Sequence, residues 1–182
     1  MQGNSDRSLV IAPQWIGDAV MTEPLMRALA ANGEKITVAA LPWVAPVYRA
    51  MPQIQQVIEL PFQHGGLQWQ ARKKLGQSLK DQFDVAYVLP NSFKSALVPF
   101  WANIPTRIGY QGEMRWGLIN EALKNPSRSH RPPMSSHYFA LSGQTSSEVP
   151  QPHLSLPQAM IDQSQQMLQN IRAHQELYVL CP

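Results

Sequence analysis

The run Leu9-Val10-Ile11-Ala12 stops at Pro13, passes through Gln14-Trp15-Ile16-Gly17-Asp18 and enters a stretch patterned as a helix. A short apolar run bounded by a proline suits a strand covered on both faces. One carboxylate, Asp18, therefore falls at the junction of a first strand and a first helix. In open α/β sheets ligands bind outside the carboxyl ends of the strands. Two readings of Asp18 stand at this point: a preferred helix N-cap residue, or a group that takes a proton during catalysis. Gly17 beside it suits a tight turn with positive φ, or a close backbone approach to a ligand.

The same β-then-α alternation continues along the chain. Leu9–Ala12, Lys35–Leu41, Gln56–Leu60, Asp84–Leu89 and Thr106–Gly109 read as strands. Between them, Ala19–Asn32 reads as one helix stopped by Gly33, Pro42 opens a short helix, Leu67–Gln82 is a basic helix and Ser92–Ala102 another. This pattern predicts an α/β fold: a Rossmann-like parallel sheet with helices on both faces. Residues 125–133 read as a loop, His137–Leu141 as a short helix and 144–152 as a polar, proline-bearing linker. Pro157–His174 is a further helix and Leu177–Cys181 a further strand, cut off at Pro182. The expected organisation is a polar tail over 1–8, an α/β domain over 9–150, and a segment over 151–182 that begins a second, truncated domain.

Charge narrows the kind of ligand. Residues 72–131 hold ten of the fifteen Lys and Arg and only four acids, a local charge of +6 in a chain of net +3. Such a field suits an anionic partner, or is a solvated face. Cys181 is the only cysteine, so no intrachain disulfide forms, which fits a reducing, cytoplasmic compartment. The N-terminus lacks a signal-peptide pattern, and no apolar run approaches the ~20 residues of a membrane helix.

Candidate ligand-binding groups fall in three places. Arg72-Lys73-Lys74, near His64-Gly65-Gly66, can clamp carboxylates or phosphates or lie on a solvated helix. Asn91, Ser92 and Lys94 follow the fourth strand, where Asn91 or Ser92 can cap a helix or meet a polyhydroxylated or anionic ligand. Arg107 and Arg115 bracket a glycine-rich loop that reads as a binding loop. There is no G-x-G-x-x-G, no phosphate cradle and no His/Cys cluster or aspartate pair with metal spacing. Aromatic and basic residues are not interleaved as on a nucleic-acid surface, so no nucleic-acid partner is expected.

Three segments, 13–18, 87–97 and 107–115, together resemble the bacterial ADP-heptose:lipopolysaccharide heptosyltransferases. The run Pro90-Asn91-Ser92-Phe93-Lys94-Ser95 is the most specific of these, and the likeness extends from about Leu9 to Pro182. The resemblance implies a GT-B enzyme of two facing Rossmann-like domains, of which this is the acceptor-binding one. It implies inverting, single-displacement transfer of heptose from ADP-heptose to the inner-core heptose of Kdo–lipid A. Asp18 would be the base, and Gly17, Arg72, Lys73, Lys74, Asn91, Ser92, Lys94, Arg107 and Arg115 would face the acceptor. No cofactor or metal is implied; the donor is a substrate, held by residues beyond Pro182, so the 182 residues alone would not turn over. The acceptor lies at the cytoplasmic face of the inner membrane, which the basic third can contact peripherally. A related transferase with another nucleotide sugar, or a non-catalytic module binding anionic glycolipid, is the alternative.

Overall fold

Six strands form one sheet: β1 (Arg7–Ile11), β2 (Lys35–Ala40), β3 (Ile54–Glu59), β4 (Val85–Val88), β5 (Thr106–Tyr110) and β6 (Glu121–Leu123). All neighbouring pairs are parallel, in the order β3-β2-β1-β4-β5-β6. The computed structural model describes residues 6–62, 66–156 and 158–169, with the side chain of Arg128 set aside. The expected strand at Leu177–Cys181, the end of the helix expected to reach His174, and His64-Gly65 lie outside the described residues.

Successive residues of a strand face opposite sides of a sheet, and the two halves of the core divide accordingly. Val10, Val38, Ala40, Tyr87 and Leu89 pack under α1 (Ile16–Met21), α2 (Glu23–Ala31), α3 (Ala45–Arg49) and α6 (Met134–Phe139). Leu9, Ile11, Ala39, Ala86 and Val88 face the other way, with Leu79, Val98, Ala102 and Ile104 from the side of α4 (Trp69–Ser78) and α5 (Leu97–Trp101). The expected helices on both faces are therefore present. A last helix, α7 (Gln158–Gln169), contributes no buried residue to this core.

Several element boundaries differ from the sequence expectation, each for a local reason. The first strand starts at Arg7 because Arg7 is fixed: its Nε and backbone N–H donate to Asp84 at 3.0 and 2.9 Å. That pairing holds the Asp84 carboxyl down at about 2. The expected helix 19–32 is two helices that break at Thr22. Pro24 has no N–H to continue the ladder, and the Thr22 hydroxyl instead donates to the Ala19 carbonyl at 2.7 Å. The basic helix is shorter than expected because Gln68 and Asp81 adopt left-handed backbone, at φ 46° and 61°. The segment after β4 begins as a 3-10 turn, Phe93–Ala96, before α5. Strand β6 was not expected at all.

Side chains of α2 tie the linker to the domain. The Glu23 carboxylate is almost wholly buried, accepting from the His153 backbone N–H at 3.0 Å and from Gln53 Nε2 at 3.2 Å. Arg27 pairs with the same carboxylate and donates to the Gln151 carbonyl.

Helices α4 and α5 approach closely at Gly76. A Cβ there would lie 2.7 Å from Trp101 Cβ and 2.8 Å from the Val98 carbonyl. Gly76→Ala is therefore expected to destabilise the domain by about 1–3 kcal/mol, the usual cost of overpacking against backbone; urea unfolding checks it, and an unchanged midpoint would show that the helices can slide apart at no cost.

Candidate functional site at the carboxyl edge of the sheet

The chain runs outward from β1 to β2 and β3, then returns to place β4 on the other side of β1. Loops leaving β1 and β4 therefore diverge onto opposite faces and leave a crevice between them, the usual ligand position in open α/β sheets. A cleft of about 1360 Å³ lies there. The β1 loop supplies Pro13, Gln14, Trp15 and Asp18; the β4 loop supplies Pro90, Asn91, Ser92 and Lys94; the β5 loop supplies Gln111, Gly112 and Glu113.

Asp18 lines this cleft, half-buried, in the first turn of α1. It is not the N-cap: Trp15 holds that position, and no side-chain hydrogen bond caps the helix. Among the described residues the Asp18 carboxylate makes no hydrogen bond or ion pair, and its charge acts on the buried hydroxyls of Tyr138 and Tyr48. Desolvation is the main cause that raises both tyrosine pKa values, with Asp18 adding to it. Gly17 does not make the positive-φ turn that was one of the two expectations for it. It lies inside α1, its φ is not positive, and a Cβ there would meet nothing within 4 Å.

The arginines depart most from expectation. Arg72 is buried with its guanidinium 4.1 Å from the Phe62 ring centroid. It donates to the carbonyls of Leu67 and Lys94, at 2.7 and 3.1 Å, so it braces the β4 loop from behind. Arg107 donates to the carbonyls of Ile104, Leu118 and Gly117. Arg115 is only 3% exposed and donates to the carbonyls of Pro90 and Tyr110, to Asn91 Oδ1 and, at 3.4 Å, to Ser95 Oγ. Burial lowers the pKa of all three from the ordinary arginine value, but a guanidinium stays charged at neutral pH. These cations fasten loops together and are not presented to the cleft. Lys73 and Lys74 stand exposed on α4, away from it.

Asn91, Ser92 and Lys94 do line the cleft. Ser92 sits at the start of the 3-10 turn without a side-chain capping bond, and that turn receives Glu113 instead, whose Oε2 accepts from the Phe93 N–H at 3.1 Å. Glu113 and Arg115 thus stitch the β5 loop to the β4 loop. Gly112 has a steric reason to be glycine, because any Cβ would collide with the Asn91 carbonyl.

The far wall was missed from the sequence. Arg131, Met134, His137 and Tyr138 line the cleft because α6 packs back against α1 and α2. The His137 ring stacks on Tyr110, 3.8 Å between centroids and 11° between planes, and the Tyr110 hydroxyl donates to the His137 carbonyl at 2.6 Å. Desolvation, and then Arg131, lower the His137 pKa, so the ring is neutral at pH 7. Among the described residues, no cluster of His, Cys, Asp and Glu could hold a metal ion, and no helix is long and apolar enough to cross a membrane.

Strand order and cleft together define a Rossmann-like α/β domain with an open cleft at its carboxyl edge, the usual ligand position in such sheets. Residues 72–182 match the family described as glycosyltransferase family 9 (heptosyltransferase), and the chain belongs to that family. It is 42% identical over 165 residues to lipopolysaccharide heptosyltransferase 2 of Escherichia coli (strain K12), covering 86% of this chain and 47% of the relative. The solved structure of E. coli ADP-heptose lps heptosyltransferase II superposes with a TM-score of 0.76 at 34% identity, covering 89% of this chain and 50% of that one. A family 9 glycosyl transferase from Veillonella parvula DSM 2008 shares the fold at 14% identity, with a TM-score of 0.78 over 96% of this chain and 51% of the other. The chain spans about half the length of the curated relatives it matches.

Arg115→Lys keeps the charge but loses the fork that reaches several acceptors at once. It is expected to cost about 2–4 kcal/mol in urea unfolding, on the scale of lost charge-assisted hydrogen bonds in a buried site. His137 gives a second test. Its folded-state pKa is depressed, so its contribution to stability is complete above the ordinary histidine pKa and declines as pH falls through the depressed value. Thermal unfolding scanned from pH 7 to 5 should show this decline, and His137→Gln should flatten it; an equal slope in both proteins would exclude His137 as its source.

Proposed function

We propose that this chain is the acceptor-binding half of a GT-B glycosyltransferase that moves heptose from ADP-heptose onto the inner-core heptose of Kdo–lipid A. The observation that carries the reading is Asp18, a carboxylate without a hydrogen-bond or ion-pair partner among the described residues, set in the crevice between β1 and β4. The family and the heptosyltransferase relatives support the reaction class. The second half that the relatives possess would hold the nucleotide sugar. The site lies in the cytoplasm, with peripheral contact to the inner membrane that carries the acceptor.

In the step itself, the acceptor hydroxyl oxygen forms a bond to the anomeric carbon while the bond from that carbon to the ADP oxygen breaks. Configuration inverts, ADP leaves with the bonding pair, and Asp18 takes the hydroxyl proton. A positioned base of this kind contributes ~10²–10⁴-fold. Asn91 and Ser92 offer hydrogen bonds to sugar hydroxyls, and Lys94 with Arg131 supplies positive charge toward acidic groups of the acceptor. Gly17, exposed in the first turn of α1, presents bare backbone next to Asp18.

The test uses a protein that carries this chain together with the second half its relatives possess. Heptosyl transfer from ADP-heptose to a mono-heptosylated Kdo–lipid A acceptor is expected, and Asp18→Asn should lower kcat by ~10²–10⁴-fold with acceptor binding retained. Transfer that survives Asp18→Asn would place the base elsewhere. A folded protein with no transfer would remove the assignment of donor and acceptor.

A further inference from the structure

The loop between β5 and β6 displays two of the most exposed apolar side chains among the described residues, Met114 at 76% and Trp116 at 84% exposure. Between them Arg115 turns inward and is almost completely buried. The loop is thus riveted through its middle residue while its two apolar neighbours project. The backbone is constrained for this: Met114 has φ 29° and Gly117 φ 78°. A loop held so firmly does not expose a tryptophan for want of structure around it.

This loop continues into a larger surface. The Arg107 guanidinium donates to the Gly117 carbonyl at 3.2 Å and stands 5.8 Å from the Phe100 ring centroid, so Phe100, itself 43% exposed, lies beside the loop. The next residue, Trp101, meets Trp69 edge-to-face at 4.7 Å, and Trp69 is 45% exposed. Lys73 follows Trp69 by four residues on α4, hence on the same side of that helix, and Lys74 is exposed next to it. Neither lysine pairs with a carboxylate among the described residues. Aromatic side chains flanked by lysine are the composition of a surface that sits at a lipid headgroup layer.

We propose that Met114, Trp116, Phe100 and Trp69, flanked by Lys73 and Lys74, form the surface by which this protein docks on an anionic lipid bilayer. The proposal rests on the reading that the acceptor is membrane-borne, and gives that contact a place. Glu113 and Gly112 of the same loop line the cleft, so a bilayer at Trp116 lies at the rim of the acceptor site. The apolar side chains insert at the headgroup level, and the lysines select anionic lipid; each exposed lysine near such a surface adds a few-fold in affinity.

The experiment is vesicle flotation of the 182-residue chain, and of the chain joined to the second half that its relatives possess, with phosphatidylcholine vesicles with and without phosphatidylglycerol. Binding to the anionic vesicles is expected, weakening with salt. The double variant Met114→Ser/Trp116→Ser should lower it by about tenfold or more, and Lys73→Gln/Lys74→Gln should remove most of the preference for phosphatidylglycerol. Brominated acyl chains should quench the parent's tryptophan fluorescence more than that of Trp116→Ser. Transfer to a deacylated, water-soluble acceptor should be unchanged by the loop variant, which separates failure of docking from failure of the transferase assignment. Equal flotation and equal quenching of parent and loop variant would overturn the proposal. So would Trp116-dependent dimers in sedimentation, or a Trp116 shielded from quencher by the second half before any lipid is added; those outcomes assign the surface to another copy or to the other domain.

Discussion

Every strand of a parallel sheet must release the chain at the same edge, and that constraint governs the rest of this domain. With six strands in parallel, the loops after β1, β4 and β5 all emerge at the carboxyl edge. The chain changes direction only between β1 and β4. Loops on the two sides of that switch go to helices on opposite faces, so the crevice between them cannot be filled by either layer. Asp18 and the Asn91–Lys94 segment share a cleft because each is the first polar stretch after a strand adjoining that switch. Their meeting across more than seventy residues follows from strand order.

Placing loops side by side does not hold them there, and here the arginines matter. Helices satisfy their own backbone, but the β4 and β5 loops leave carbonyls without partners at the edge of the core. A buried carbonyl without a donor costs a few kcal/mol, and a guanidinium with five N–H groups can satisfy several from one side chain. Arg115 binds the Pro90 carbonyl after β4 and the Tyr110 carbonyl at the end of β5, Arg107 binds two carbonyls of the β5–β6 connection and that of Ile104 before β5, and Arg72 reaches the carbonyl of Lys94. Lysine, with a single ammonium on a flexible stem, cannot make such multi-point contacts. Three of the ten cations in 72–131 thus serve as internal braces. Among the described residues the cations that line the cleft are Lys94 and Arg131, and those left for a surface include Lys73 and Lys74.

The parts of the fold written in local patterns were legible before any coordinates. The apolar run ending at Pro13 located β1, and the run ending at Pro90 located β4, so Asp18 and Asn91–Lys94 were found at the right edge. The break at Thr22 was also legible, since Pro24 interrupts the ladder, yet the continuous apolar spacing of Val20, Met21, Leu25 and Met26 overrode it. Glu121-Ala122-Leu123 carries no β-branched residue, and only pairing with β5 makes it a strand. The roles of the arginines were hidden for a different reason. A guanidinium suits a carbonyl and a phosphate equally well, so residue type and spacing cannot separate an internal brace from a ligand contact. The wall holding Arg131, His137 and Tyr138 depends on α6 docking against α1 and α2, a long-range contact that leaves no mark on the sequence near Met134.

On the proposed reading the cleft holds the acceptor, and its rigidity bears on how such a transferase can work. Aligning two large substrates supplies more rate than any single proton transfer, provided that the reacting atoms are held within a few tenths of an ångström. The walls of this cleft are tied at each margin: Glu113 to the Phe93 N–H, Arg115 across the β4 and β5 loops, the Tyr110 hydroxyl to the His137 carbonyl, and Trp43 Nε1 to the Gln14 carbonyl. Little of the acceptor's binding energy is then needed to order the loops that receive it. On that reading, motion that brings a donor to Asp18 would come from whatever faces this surface; the Glu23 and Arg27 contacts to His153 and Gln151 hold the start of the connecting segment against α2. Any hinge is thereby displaced beyond residue 153. On the proposed reading, the half that carries Asp18 would stay fixed on its acceptor, and the half that carries the leaving group would do the moving.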